Sequence, residues 1–205
     1  MSGGRPGCCD SSNRTGRTGS AFRGRYDAAV APKGKWAQGI TPRGFCWVIK
    51  DRLAVAERPG GHGENHRRVR RQEEIIWIRE QGFTRVISLL TSPHNLHNYD
   101  ELGVAWLHRP LSLVDGTRET VAAFFPELRE MLARGERLLL HRAELGDPVI
   151  GLLAGYLVWS GMVPEGPRAI SIMEQITSRQ LGPPGRELVA IGQSLRSAAS
   201  AAQRG

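Results

Sequence analysis

The residues best placed to do chemistry stand together in "HRAELGDP", positions 141–148. The stretch holds an imidazole, a guanidinium and two carboxylates: His141, Arg142, Glu144 and Asp147. An imidazole works as a general acid or base near neutral pH. A guanidinium grips a carboxylate or phosphate through two parallel hydrogen bonds. The run before it, "RLLLH", is apolar up to His141, and the run after it, "VIGLLAGYLVW", is apolar for 11 residues. The pattern predicts a buried strand, a short polar loop and a buried helix. In such a unit, backbone N–H groups and the helix N-terminus converge on the loop and favour an anion there.

The elements that must position this loop are legible on either side. "FCWVI" and "LAVAERP" flank "KDR" and predict a β-hairpin, ended by Pro59 and the glycines of "PGGHG". Residues 65–81 read as a helix with apolar positions at Val69, Ile75, Ile76 and Ile78 and a stop at Gly82. "RVISLL" (85–90) is a continuous apolar run of the kind buried on both faces of a sheet. A brief helical piece over 96–102 leads to a strand in "VAWLHRPL". Thr117 to Ala133 then places Val121, Phe124, Phe125, Leu128, Met131 and Leu132 on one helical stripe. After the quoted helix, where Tyr156 and Trp159 read as core, "GPRAISIMEQIT" and "GRELVAIGQSLRSAAS" predict two more. Strands alternating with helices imply an α/β protein, a mostly parallel sheet with helices on both faces.

Composition bounds the rest. Hydrophobic residues make up 40% of the 205 and the net charge is +8, of which residues 1–44 carry +6 (eight Lys/Arg against two Asp). Residues 1–42, rich in Gly, Ser and Arg, are expected to be a disordered basic tail, residues 43–198 the folded domain, and 199–205 a flexible C-terminus. The tail offers at most weak attraction to nucleic acid or another polyanion. Three cysteines, Cys8, Cys9 and Cys46, make no disulfide framework, and no Cys/His spacing suggests a metal or a cofactor. The longest apolar run is too short to span a bilayer, which takes about 18 residues or more. The N-terminus lacks the apolar core of a secretory signal, and a cytoplasmic location is expected.

Five segments taken in order resemble the atypical dual-specificity phosphatases of the protein tyrosine phosphatase superfamily. "GFCWVIKDRLAVAERPG" is similar to that family's opening hairpin, "GFTRVISLL" to its next helix end and strand, and "VAWLHRPL" to the strand before its general-acid loop. "RLLLHRAELGDPVIGLLAGYLV" falls without gaps on an apolar strand, His-Cys-x-x-Gly-x-x-Arg-Thr/Ser-Gly, and a helix ending Tyr-Leu-Val. "PEGPRAISIMEQI" and "PPGRELVAI" resemble the family's last two helices. The resemblance covers about residues 43–195. It implies the three-layer phosphatase fold, a central mostly parallel sheet flanked by helices.

The departures lie in the loop. His141 keeps the family's histidine, but Arg142 stands where the resemblance puts the nucleophilic cysteine. Leu145 replaces the loop glycine, Pro148 the phosphate-gripping arginine and Val149 the hydroxyl residue, while Ala143, Glu144, Gly146 and Asp147 fill the variable places. Covalent phosphoryl transfer by a thiolate is excluded, since a guanidinium stays protonated and is no nucleophile. Pro148 removes an arginine fork and a backbone donor together. Glu144 and Asp147 are expected to bring two carboxylates toward any bound dianion. Asp115, 27 residues before Arg142, falls where the family carries its general acid; an Asp-Gly pair is equally an ordinary turn. The sequence therefore implies a pseudophosphatase, binding a protein partner or an anion through Arg142 and His141. A hydrolase using water with His141 and Asp115, and a polyanion tether through the tail, are the alternatives. Arg67, Arg68, Arg70 and Arg71 in "HRRVRRQEE" form a basic run suited to an acidic or phosphorylated partner, or a solvated helix face with Arg70 paired to Glu74. Oligomeric state is not legible.

Overall fold

The computed structural model describes residues 38–61, 68–93, 95–113 and 116–202. The expected tail up to residue 37, Arg67, Asp115 and residues 203–205 lie outside the described residues. The elements run β1 (Cys46–Ile49), β2 (Leu53–Glu57), α1 (Arg68–Glu80), β3 (Arg85–Ser88), α2 (His97–Glu101), β4 (Trp106–His108), α3 (Thr117–Ala133), β5 (Leu138–Arg142), α4 (Asp147–Ser160), α5 (Gly166–Thr177) and α6 (Pro183–Ala202).

One five-stranded sheet has the order β1-β2-β5-β3-β4. β1 pairs antiparallel with β2 across a turn in which Arg52 N–H donates to Ile49 O and Asp51 takes φ 59°. Short polar residues such as Asp tolerate that left-handed conformation. The other pairings are parallel, with Ala56 and Ser88 flanking His141 and Glu57 beside Arg142. Strand alternation sends successive side chains to opposite faces, and two clusters result. Leu53, Val55, Ile87, Leu138 and Leu140 meet α3 to α6 on one face; Ala54, Ala56, Val86 and Leu139 meet α1 and α2 on the other. β5 is central and buried through its first four residues, which explains its lack of polar alternation.

α4 has ten consecutive buried residues, Val149 to Val158, so its all-round apolarity marks a helix enclosed by others. It lies close against α6 because glycines meet there: a Cβ on Gly151 would come 2.5 Å from the Gly185 backbone, and one on Gly192 would come 2.5 Å from Gly155 O. Two boundaries differ from expectation. The chain is already fixed ahead of residue 43, where Ile40 N–H donates to Glu73 O and Gly39, at φ 70°, has no room for a Cβ against α1. α6 continues through "SAASAA" to Ala202 rather than ending near 198, as the high helix propensity of alanine favours. Val69, expected on the apolar stripe of α1, is 64% exposed. It lies six residues before Ile75, well round the helix from the buried side at 3.6 residues per turn.

Candidate functional site at the end of β5

Parallel strands end together at one rim of the sheet, and the loop after β5 sits there. His141 and Arg142 leave the strand on opposite faces. His141 lies among the α1/α2 layer, fully buried, with its ring centroid 5.9 Å from that of Tyr99. Burial, then the charges of Arg58 and His108, push its imidazole down to about 3, so the ring is neutral at physiological pH. Neither ring nitrogen has a partner within the protein. Among the described residues, His141 and Arg142 line different cavities, with Leu90 common to both.

Arg142 is half-buried on the other side and lines a cleft of about 210 Å³ with Leu90, Thr91, Ala143 and Glu144. Among the described residues its guanidinium has no side-chain hydrogen bond or ion pair, whereas its carbonyl accepts from Arg58 N–H at 2.7 Å. Glu144 is exposed at the cleft's edge. Asp147, expected to face the same anion, does not line the cleft: its Oδ1 accepts from Gly182 N–H at 3.1 Å, fastening the start of α4 to the α5–α6 connection. Of the two expected carboxylates, Glu144 alone lines the cleft.

The rest of the loop is turned inward. Leu145 is 2% exposed and belongs to the core of the α3–α6 face. Its Cδ1 would lie 2.9 Å from a Cβ on Gly44, whose φ of 65° also favours glycine. Gly146 N–H donates to Glu144 O, Val149 and Ile150 N–H both donate to Gly146 O, and Pro148 has none to give. Of the first-turn amides that could meet an anion, those of Val149 and Ile150 are engaged with Gly146 O.

Sequence reading missed Glu57. This carboxylate ends β2 beside Arg142, is 5% exposed, and meets Arg179 at 3.4 Å and Arg43 at 3.9 Å. The available signal was a charged residue closing an apolar strand just before Arg58 and Pro59. Of the basic run, Arg70 pairs with the buried Glu74 at 2.8 Å as expected, and Arg71 donates to Asn98 Oδ1 at 3.2 Å. Arg68 stays exposed. Cys46 lies on β1, separated from β5 by β2, and burial pushes its thiol up to about 11.

No family model matches the chain, and no curated protein matches its sequence. Solved structures do. The chain is similar to a kinase-associated phosphatase whose catalytic cysteine was changed to serine, at 18% identity and TM-score 0.64, over 77% of this chain and 98% of that one. It is similar to Tk-PTP in its active form, at 15% identity and TM-score 0.58, over 75% and 97%. The human tyrosine phosphatase-like serine/threonine/tyrosine-interacting protein is another, at 11% identity and TM-score 0.56, over 76% and 97%. At such identities the likeness establishes the fold, that of protein tyrosine and dual-specificity phosphatases, and leaves activity to be argued from the residues.

Proposed function

We propose that this chain is a catalytically silent form of the phosphatase fold and acts as a binding module, presenting Arg142 to an acidic or phosphorylated group on a protein partner. The observation that carries the reading is the loop itself. A cation stands at the nucleophile's place, Leu145 is packed into the core beside it, and Pro148 offers a dianion neither a guanidinium nor an N–H. A guanidinium without an internal partner beside an open cleft supports recognition of an anion. The hydrolase alternative loses support, because His141 is fully buried, lines a different cavity from Arg142, and is too weak a base when so buried.

The test is phosphate release from a small aryl phosphate and from a phosphotyrosine peptide, by the wild type beside His141→Ala and Asp115→Ala. A rate equal to buffer in all three supports the silent module. A wild-type rate that falls in either variant overturns it. Titration of the same peptide, phosphorylated and not, against wild type and Arg142→Ala then asks whether the arginine reads the anion. Binding unchanged by Arg142→Ala removes it from that role.

A further inference from the structure

A row of polar side chains crosses the α1/α2 face of the sheet at the rim where the parallel strands end. His141 on β5, Ser88 on β3 and His108 on β4 are in register, and Tyr99 of α2 lies over His141. His108 is satisfied, its Nε2 2.7 Å from Leu90 O. The other three are not. Ser88 Oγ, Tyr99 Oη and both His141 nitrogens are buried without a partner in the protein, and all three residues are 2% exposed or less. Buried polar atoms are hydrogen-bonded in native structures with few exceptions, and a cluster of orphans in one place requires an explanation.

For Tyr99 and His141 the explanation lies beside them. His141 and Tyr99 both line a small cavity under α1, shared with Arg71, Ile75 and Leu90, with about 10 Å³ open to a water-sized sphere. That is roughly the space one water requires, and too little for any organic ligand. A metal ion is disfavoured: the Arg71 guanidinium borders the cavity, and the Tyr99 phenol is held protonated by burial and the nearby Glu74 carboxylate.

We propose that this cavity is a hydration site holding one water molecule between the Tyr99 hydroxyl and a ring nitrogen of His141. The water accepts from Tyr99 and donates to the unprotonated nitrogen of the neutral imidazole. It thereby fixes which nitrogen carries the proton and ties α2 to the strand residue directly before Arg142. The site borders the Arg142 cleft at Leu90, which lines both, and depends on no role for that cleft.

A high-resolution crystal structure of the wild-type chain tests this, with a parallel bromide soak and nitrogen-15 spectra of the His141 ring. The expected result is an ordered water within hydrogen-bond distance of Tyr99 Oη and one His141 nitrogen, a single imidazole tautomer, and no bromide signal. In Tyr99→Phe the water is lost or displaced and the two tautomers mix. A wild-type map with no water there overturns the proposal. So does a direct Tyr99–His141 hydrogen bond, or a bromide peak, which assigns the cavity to a halide. The wild-type map decides alone should the variant fail to fold.

Discussion

At the scale of single residues, the loop after β5 is explained by what each side chain does with its own space. Leu145 is structural: Leu145→Gly removes a buried side chain and frees the backbone, and an expected loss of about 3–5 kcal/mol should appear in urea denaturation. Restoring the thiol alone, as Arg142→Cys, is expected to leave phosphate release at the level of buffer, because Pro148 still supplies no guanidinium fork and no N–H to the phosphate. His141 gives a pH dependence of known sign. Unfolding releases an imidazole of pKa about 6.5, whereas the folded ring resists protonation down to about 3. The unfolded chain therefore binds the extra proton, so this contribution is intact above the unfolded value and is lost as pH falls toward 3. Between pH 7 and pH 5 the wild type is expected to lose about 2 kcal/mol more than His141→Gln; equal losses would remove His141 from the account. The identities of these residues were legible in the sequence. The directions of Asp147 and Leu145 were not, since they depend on Gly182 and Gly44, which lie far away along the chain.

At the scale of elements, continuous apolar runs between turn residues placed the central strands near their observed positions, and apolar stripes of period 3.6 placed the amphipathic helices, because each follows from which sides are buried. Those stripes gave α3 as Thr117 to Ala133, the bounds the structure shows. They could not give the closeness of α4 to α6, which rests on glycines of two separate helices meeting. Gly155→Ala, whose Cβ would come 2.8 Å from Leu188 O, is expected to cost about 1–3 kcal/mol through overpacking. Gly146→Ala, where a new Cβ would find only an ordinary 3.7 Å contact with Pro148 at φ −110°, is expected to stay within about 0.5 kcal/mol. Thermal melts of the pair discriminate crowding from a general intolerance of alanine in this region.

At the scale of the whole molecule, both helical layers rest on the same central strands, β2, β5 and β3. Loss of either layer exposes apolar residues of all three, so unfolding is expected to be one cooperative event. Hydrogen exchange should find the β5 amides opening only with the global transition, ahead of which the five-residue α2 frays. Protection of β5 that collapses well before the global transition would show two independent halves. Among the described residues no helix is long and apolar enough to cross a membrane. The position of Cys46 has a practical consequence for anyone who purifies this protein. Among the described residues the one thiol sits two strands from the loop and resists ionisation, so iodoacetamide is expected to leave the loop unmodified. Phosphate release that iodoacetamide abolishes would therefore point to a thiol enzyme in the preparation rather than to chemistry at this loop.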